Sequence, residues 1–371
     1  MAKEILSPIF EKLNITEWRN AGFTGKGIKV WNGENTGGHG SNSKQMVLDV
    51  APDVTILTGS AGAIVDNTEL LEVPTVRYED GTSYDMLEFI LKFEPDLMTV
   101  SLKSEARHVP LIEYYVDIQK KTDFPIFCCA GNEAIDGPES LHPAIPYEVA
   151  ILIGALEFNP SRGFWKASYS STGLELDFAQ SIGWWSGTSA ATPFMAGMVA
   201  MIFQRYGAMG NFEIYKYLKM ISKDLGNEGI DTWYGNGQPI LPELGRKYIT
   251  MSTNSNEYCV DGNTKTMDTK PVNLNGNVFV PIRAISESLG ADVKWEPISR
   301  TVLINDIISL QIGDKEAFVG DKKVILNYAP FIDKNNRTLV PIRFIAEALN
   351  CKVDWVQNES KVMILENTTN R

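Results

Sequence analysis

An internal repeat constrains the fold of the last third of the chain. The segment Val278–Trp295 recurs sixty residues later as Thr338–Trp355. In each copy the pattern predicts a strand that ends at Pro, a short helix with Ile and Leu on one face, a Val-x-Trp strand and a closing strand. One copy is too small to bury its own apolar face, so the two copies are expected to pack together. These repeats, near 278–304 and 338–365, predict a small α+β domain.

The first two thirds of the chain alternate short apolar runs with segments of helical periodicity. Five runs are strand candidates: Ile28–Trp31, Val54–Leu57, Leu97–Leu102, Pro125–Cys129 and Val149–Ile153. Three segments between them have apolar residues at helical spacing: Ser43–Val50, Ser83–Phe93 and Leu111–Lys121. Strands separated by helices indicate an α/β fold, in which a parallel sheet is covered by helices on both faces. The apolar run Ala190–Tyr206 is expected to be a helix of its core.

The distribution of charge supports a boundary between these two parts. Residues 1–246 hold 19 basic residues (Lys and Arg) against 31 acidic residues (Asp and Glu), whereas residues 247–371 hold 15 basic and 15 acidic residues. We therefore expect two domains, 1–246 and 247–371. The formal charge of −12 favours neither nucleic acid nor an anionic membrane as a partner.

The beginning of the chain and its cysteines indicate a cytoplasmic protein. The first twenty residues carry charges from position 3 onward and contain no uninterrupted apolar run, so neither a secretory signal nor a membrane span is predicted. The protein is expected to begin at or near Met1, without a long pro-segment. Four cysteines, of which Cys128 and Cys129 are adjacent in an apolar run, suggest buried and reduced thiols.

One serine stands where a nucleophile could be activated. Ser189 follows Gly-Thr and precedes a helical pattern that has Pro193 in its first turn. The free amides and the dipole of a helix N-terminus favour the negative charge of an oxyanion, which suits a serine nucleophile. Taken alone, the same residues are equally typical of a helix cap.

The whole segment 186–197, Ser-Gly-Thr-Ser-Ala-Ala-Thr-Pro-Phe-Met-Ala-Gly, resembles the serine motif of the subtilases. It departs from that motif at Ala190 and at Phe194 and Met195, which are packing positions. The resemblance implies that the first domain is a subtilisin-like serine protease with Ser189 as its nucleophile.

Other segments extend this resemblance to the rest of a site. Residues 129–133, Cys-Ala-Gly-Asn-Glu, are similar to the family segment whose Asn donates to the oxyanion, which implies this role for Asn132; by itself the segment could be a plain turn. Residues 100–104 are similar to the strand that lines the substrate cleft, with Lys103 and Ser104 replacing the usual glycines. The substrate-binding residues implied by these two segments are Ser101, Leu102, Lys103, Ser104, Ala130 and Gly131.

The general base implied by the resemblance is His39. His39 and Gly40 precede a helical pattern that ends in Val-Ala-Pro, as in the histidine helix of the subtilases. The chain has two other histidines, His108 in a polar loop and His142 before a proline, and neither has this context.

The acidic residue that would orient His39 differs from the family pattern. Residues 24–30 resemble the strand that enters the Asp motif of the subtilases, and an ungapped alignment puts Glu34 at the position of that Asp. His39 follows Glu34 by only five positions, which is workable because a strand end and a helix start are neighbours in such a fold. A Glu can also orient an imidazole. The alternatives are that Glu34 is a solvated loop carboxylate, or that Asp49, farther along the helix, is the acid.

The repeat of the second domain resembles the N-terminal domain of copper amine oxidases, an accessory module. Copper binding is not expected, because imidazole is the usual copper ligand and all three histidines lie in the first domain. The module is expected to be a spacer or to bind a protein or cell-wall partner.

Two hypotheses of different classes follow. The first is a serine endopeptidase with the triad Ser189, His39 and Glu34 and the oxyanion donor Asn132, acting without a cofactor on a narrow set of protein or peptide substrates, inside the cell or in a phage-type particle. Structural calcium is common in the family, but no site for it can be identified. The second is a catalytically impaired subtilase fold that serves as a structural or binding component of a larger assembly.

Overall fold

The structure is a computed structural model that describes residues 2–34, 37–62, 75–78, 81–101, 109–134 and 147–367. The chain divides into two compact units, Met1–Leu244 and Gly245–Arg371. Within the described ranges, no helix combines the length and the apolar character that crossing a membrane requires.

The first unit is built from a sheet and the helices around it. Its helices are α1 (Ala2–Lys12), α2 (Ile15–Asn20), α3 (Gly38–Val50), α4 (Met86–Phe93), α5 (Val109–Thr122), α6 (Thr188–Tyr206) and α7 (Asn211–Ile221). Its strands are β1 (Lys29–Asn32), β2 (Thr55–Gly62), β3 (Thr75–Tyr78), β4 (Ser83–Asp85), β5 (Leu97–Val100), β6 (Ile126–Cys129), β7 (Ile151–Asn159), β8 (Gly163–Lys166), β9 (Phe178–Ser181), β10 (Ser222–Lys223) and β11 (Gln238–Pro239).

The sheet is parallel at its centre. Its strands follow the order β4-β3-β2-β1-β5-β6-β7-β8, with β9 also paired to β7. The pairs from β2 to β7 and the pair of β7 with β9 are parallel, whereas β3, β4 and β8 add antiparallel edges. The predicted α/β fold with a parallel sheet is therefore confirmed. Strand β1 lies between β2 and β5, so the chain changes direction across the sheet there, and ligands of such sheets bind at the carboxyl ends of the strands beside this point.

Helix α6 passes through the core of the first unit. All its residues from Thr188 to Phe203 are buried. A Cβ atom on Gly197 would lie 2.7 Å from the Cβ of Val50 in α3, so a glycine is needed for the two helices to approach this closely. The glycine thereby brings together α3, which carries His39, and α6, which carries Ser189.

Two helices begin three or more residues away from the sequence-based expectation. Helix α3 begins at Gly38 instead of Ser43, so His39 lies in its first turn. The prediction of a helix over Ser83–Phe93 was wrong for its first three residues, which form β4. The physical reason is a capping box: the Asp85 carboxylate accepts from the Glu88 amide at 2.8 Å, and the Glu88 carboxylate accepts from the Asp85 amide at 3.3 Å.

The second unit is mostly antiparallel sheet. Its helices are α8 (Ile282–Ser288) and α9 (Ile342–Ala348). Its strands are β12 (Tyr248–Ser252), β13 (Glu257–Val260), β14 (Asn263–Thr266), β15 (Val272–Leu274), β16 (Asn277–Pro281), β17 (Val293–Glu296), β18 (Thr301–Ile304), β19 (Ile308–Gln311), β20 (Glu316–Val319), β21 (Lys322–Ile325), β22 (Phe331–Ile332), β23 (Thr338–Pro341), β24 (Cys351–Val356) and β25 (Lys361–Glu366).

The two copies of the repeat share one core, as the sequence predicted. Strands β16 and β23 pair antiparallel with Val280 opposite Val340, and Ile285 and Ile345 lie in the same buried cluster. One five-stranded sheet has the order β17-β18-β19-β20-β21 and the other has the order β14-β13-β12-β25-β24. In the second sheet β12–β14 take the place that β19–β21 take in the first. The repeat is therefore longer than the segment recognised from sequence, because strands that precede the first helix complete the sheet of the second copy.

Candidate active site

The predicted site residues gather at the carboxyl edge of the sheet in the first unit. Glu34 lies two residues after β1, Ser101 directly follows β5, and Asn132 follows β6 by three residues. Ser189 is the second residue of α6. Because β1, β5 and β6 are parallel neighbours, the segments that follow them meet at one edge of the sheet, and α6 begins there as well.

The imidazole of His39 is held by a buried carboxylate. The Nδ1 atom of His39 lies 2.5 Å from Oε2 of Glu34. The Glu34 side chain is 1% exposed, whereas the side chain of His39 is 44% exposed. An ionised carboxylate can only accept a hydrogen bond, so it holds the proton on Nδ1 and leaves Nε2 as the basic atom of the ring. A solvated loop carboxylate, the alternative for Glu34, does not describe this buried group.

The backbone of Ser101 contacts both the acid and the serine. Its amide donates to Oε1 of Glu34 at 3.2 Å, so both carboxylate oxygens of Glu34 have partners. Its carbonyl oxygen accepts from the Ser189 hydroxyl at 3.1 Å. The Ser189 hydroxyl is thus directed to the Ser101 carbonyl in this conformation, and reaching the imidazole requires rotation about the Cα–Cβ bond of Ser189.

Asn132 is anchored through its side-chain oxygen. This Oδ1 atom accepts from the Thr188 amide at 2.8 Å and from the Thr188 hydroxyl at 3.2 Å. The same hydroxyl oxygen accepts from the Gly131 amide at 3.1 Å, which ties the loop after β6 to the start of α6. With its oxygen held, Asn132 has its NH₂ group left to donate. The Ser189 amide is in the first turn of α6, where a helix has no carbonyl partner to offer.

His39, Asn132 and Ser189 line one cavity of about 380 Å³, together with four further residues: Tyr169, Trp185, Ser186 and Gly187. The ring of Trp185 packs edge-on against the imidazole with the ring centres 4.7 Å apart. The Tyr169 hydroxyl accepts from the Gly187 amide at 3.0 Å, and burial raises the pKa of Tyr169. Gly187 has φ of +88°, and a Cβ there would lie 3.3 Å from Nδ2 of Asn132, so a side chain at this position would crowd the amide group.

Residues 38–237, more than half of the chain, match the family described as the subtilase family. The chain belongs to the subtilase family. Residues 211–304 and 270–364 match the copper amine oxidase N-terminal domain. Both family resemblances read from the sequence are thereby confirmed, and subtilases as a family are serine proteases.

Individual relatives are distant. Subtilisin amylosacchariticus of Bacillus subtilis subsp. amylosacchariticus is 28% identical over 165 residues, which make up 41% of this chain and 41% of that protein. Subtilisin DY of Bacillus licheniformis is 26% identical over 221 residues, or 55% of this chain and 76% of that protein. The crystal structure of a lanthipeptide protease is 18% identical, with a TM-score of 0.46 over 64% of this chain and 92% of that chain. This subtilase thus spans less than half the length of the first of these relatives.

Three of the six predicted substrate-binding residues of this subtilase lie in the described part of the chain. Ser101, Ala130 and Gly131 are buried and are not among the described residues that line the cavity. The amide of Ala130 donates to the Ile153 carbonyl at 3.0 Å and continues the β6–β7 pairing. Substrate contact by these three residues stays a prediction. The others, Leu102, Lys103 and Ser104, lie outside the described residues, as do His108 and His142.

Asp49, the alternative acid, contacts other groups. It lies in the last turn of α3, where its carboxylate accepts from the Trp184 indole at 2.5 Å and from the Gln45 amide at 2.9 Å. It therefore joins the helix of His39 to the segment before the subtilase serine motif, but it does not orient the imidazole.

Two adjacent cysteines of the first unit, Cys128 and Cys129, lie at the end of β6. Cys128 and Cys129 are buried and form no disulfide, and burial raises the pKa of the Cys129 thiol to about 12, so it is not a thiolate at neutral pH. Over the ranges that the structure describes, no group of three His, Cys, Asp or Glu side chains is arranged to hold a metal.

The positions of Tyr169 and Trp185 in the site could not be predicted from the sequence. Both belong to segments flanking motifs, Lys166–Tyr169 and Trp184–Ser189, but an aromatic residue in a loop produces no periodicity that would single it out. Their position beside His39 and Gly187 comes from contacts between segments far apart in sequence.

Proposed function

We propose that the first unit is a serine endopeptidase that works by acyl transfer. One observation carries this proposal: a buried carboxylate, Glu34, binds Nδ1 of His39 at 2.5 Å, and His39 lines the same cavity as Ser189 and Asn132. A buried acid beside a half-exposed imidazole, next to a serine at a helix start, is the arrangement that general-base activation of a hydroxyl requires.

In the proposed reaction, the Ser189 hydroxyl turns from the Ser101 carbonyl to Nε2 of His39. Nε2 takes the hydroxyl proton while Oγ attacks the peptide carbonyl carbon, and Glu34 stabilises the imidazolium that forms. His39 then gives the proton to the leaving amine, and an acyl ester remains on Ser189. Water activated by the same imidazole hydrolyses the ester and restores the enzyme.

The oxyanion of each tetrahedral intermediate would bind between two donors. The NH₂ group of Asn132 is one, because its Oδ1 is held by Thr188. The amide of Ser189 is the other, supported by the dipole of α6. No step of this sequence uses a metal or a cofactor.

The substrate would be a peptide segment of a protein. A narrow substrate range is part of the proposal and is supported by the walls of the cavity, where Tyr169 and Trp185 are bulky and Tyr169 is hydrogen-bonded in place. A location inside the cell or in a phage-type particle stays a prediction, as does a protein or cell-wall partner for the second unit.

The test is covalent labelling with a fluorophosphonate probe, followed by mass spectrometry of the labelled peptide. We expect the wild-type protein to be labelled at Ser189 and both Ser189→Ala and His39→Ala to lose labelling. Ser186→Ala is the matched control, since Ser186 lines the same cavity and has no role in the attack, and we expect it to be labelled.

A second candidate function is a subtilase fold without activity that serves as a structural or binding component. The hydrogen bond from the Ser189 hydroxyl to the Ser101 carbonyl favours it, since that hydroxyl is not presented to the imidazole. Folded wild-type protein that resists the probe would support this candidate and contradict the endopeptidase.

A further inference from the structure

Asn32 is a buried polar residue at the end of the strand that leads to Glu34. It is the last residue of β1 and is 0% exposed. Its Nδ2 atom donates to the Gly40 carbonyl oxygen at 3.0 Å. Its Oδ1 atom accepts from the hydroxyl of Ser43, which is also 0% exposed, at 3.2 Å. Both ends of the amide are therefore bonded to α3.

A buried amide is costly unless it is hydrogen-bonded, and the bonds of Asn32 to Gly40 and Ser43 offset that cost. The neighbouring Trp31 points to the other face of the sheet, where it packs on Phe89 with the ring centres 4.5 Å apart. An apolar residue at position 32 would pack against α3 without any directional contact. An amide instead fixes both the position and the rotation of the helix.

Both contacts lie close to His39 on α3. Gly40 is adjacent to His39, and Ser43 is four residues from His39, one turn along the same face of α3. Asn32 in turn lies two residues before Glu34. One short stretch of backbone, 32–34, therefore holds the helix through Asn32 and the Nδ1 atom of the ring through Glu34.

We infer that Asn32 and Ser43 are positioning residues for His39, an inference that rests on the proposed endopeptidase function. They set the first turn of α3 so that the ring meets the Glu34 carboxylate while its other nitrogen stays in the cavity. This anchoring matters here because only four residues, 35–38, connect the acid to the histidine. A displacement of α3 would misplace the imidazole relative to Ser189, which lies on a different helix.

The experiment compares Asn32→Ala and Ser43→Ala with a matched control, Asn211→Ala. Asn211 is 0% exposed and its Nδ2 donates to the Tyr147 carbonyl at 2.8 Å, but it lies at the start of α7, away from the cavity. Four quantities are measured in the full chain: the thermal midpoint, kcat and KM for a peptide substrate, and the low-field proton resonance of His39 Nδ1–H.

All three variants are expected to lower the thermal midpoint. For Asn32→Ala we expect kcat to fall by about tenfold to a hundredfold with KM changed less than about twofold, and the Nδ1–H resonance to shift or disappear. Ser43→Ala should show the same effects at a smaller size, because it removes one of the two contacts. Asn211→Ala should keep kcat within about twofold and keep the resonance.

The inference is overturned if Asn32→Ala and Ser43→Ala lose only thermal stability, as Asn211→Ala does, with kcat and the resonance intact. Should Asn32→Ala fail to fold, Ser43→Ala decides. Failure of the proposed function is a separate result, because then the wild-type protein is not labelled by the fluorophosphonate. The resonance still tests the positioning in that case: its retention in both variants contradicts the inference and its loss supports it.

Discussion

The two units differ in what they bury. In the described residues of the first unit, several buried polar side chains converge on the carboxyl edge of the sheet, among them Asn32, Glu34, Ser43, Ser101, Thr188 and Ser189. In those of the second unit the buried polar side chains are Ser286 and Ser288, both on α8. Burying polar groups lowers stability unless each is paired, so a fold keeps many of them together where their chemistry is used. The described core of the second unit is, by comparison, almost entirely apolar.

The concave surfaces differ in the same way. The cavity at the candidate site of the first unit is lined by residues that occur once, whereas two of the grooves in the second unit, of about 700 and 540 Å³, are related by the repeat. The equivalent residues that line them are Pro341 and Pro281, Arg343 and Arg283, Glu347 and Glu287, and Trp355 and Trp295. A duplicated groove follows from a duplicated sequence and does not by itself indicate chemistry.

The largest loss of activity is expected for Glu34→Gln, which changes one of the buried polar side chains of the first unit. The amide can donate to Nδ1 and so favours the tautomer with the proton on Nε2, which cannot act as a base; we expect kcat to fall by about 10⁴-fold. The measurement is kcat on a peptide substrate. The control is Asp49→Asn, which changes an acid that binds Trp184 instead, and it should cost less than about tenfold. Equal losses in the two variants would contradict the assignment of the acid.

Asn132→Ala should have the next largest effect, a loss of about 10² to 10³ in kcat from the missing oxyanion donor. This variant also removes the acceptor for Thr188, so Asn132→Asp is the matched control. Asp keeps an oxygen acceptor for Thr188 but cannot donate and adds a negative charge. We expect it to fold like the wild type in thermal denaturation and to lose at least as much kcat. An active Asn132→Asp would show that Asn132 only supports the loop.

Changes in the second unit should alter stability and leave the chemistry of the first unit intact. Trp355 is half-buried and packs against the shared core, whereas Trp295 is 42% exposed. We expect Trp355→Ala to lower the free energy of unfolding of this unit by about 2 kcal/mol and Trp295→Ala by less than about 1 kcal/mol. Chemical denaturation measures both, and fluorophosphonate labelling of Ser189 should stay unchanged. A loss of labelling would contradict the expectation that the chemistry at Ser189 does not depend on the packing of the second unit.

The smallest expected effect concerns a buried acid away from the cavity. The Asp177 carboxylate accepts from the Leu152 amide at 2.8 Å, and burial raises its pKa well above the ordinary value of 3.8. Between the ordinary and the raised pKa, the folded protein binds more protons than the unfolded chain, so stability falls as pH rises through this window. Asp177→Asn should therefore raise the thermal midpoint at pH 8, and the gain should vanish below about pH 4. A gain that does not depend on pH would contradict this explanation.

Resemblance and pattern together predicted a large part of the site. The serine motif and the histidine context pointed to Ser189 and His39, and an ungapped alignment pointed to Glu34, which the structure places 2.5 Å from the imidazole. The contacts of Asn32 and Ser43 and the position of Trp185 could not be predicted. Each joins residues that have no common periodicity, such as the end of a strand and the second turn of a helix.

What the sequence determined by itself is the alternation of strands and helices in the first unit, the repeat in the second, and the residue types available for chemistry. These are local properties, set by the spacing of apolar residues along each segment. The tertiary structure decided the rest: the antiparallel edge strands, the pairing of β12 with β25, the closeness of α3 and α6 at Gly197, and the direction of the Ser189 hydroxyl. Those features depend on which distant segments pack together. Each such contact needs residues from two segments, so the pattern of either segment alone does not predict it.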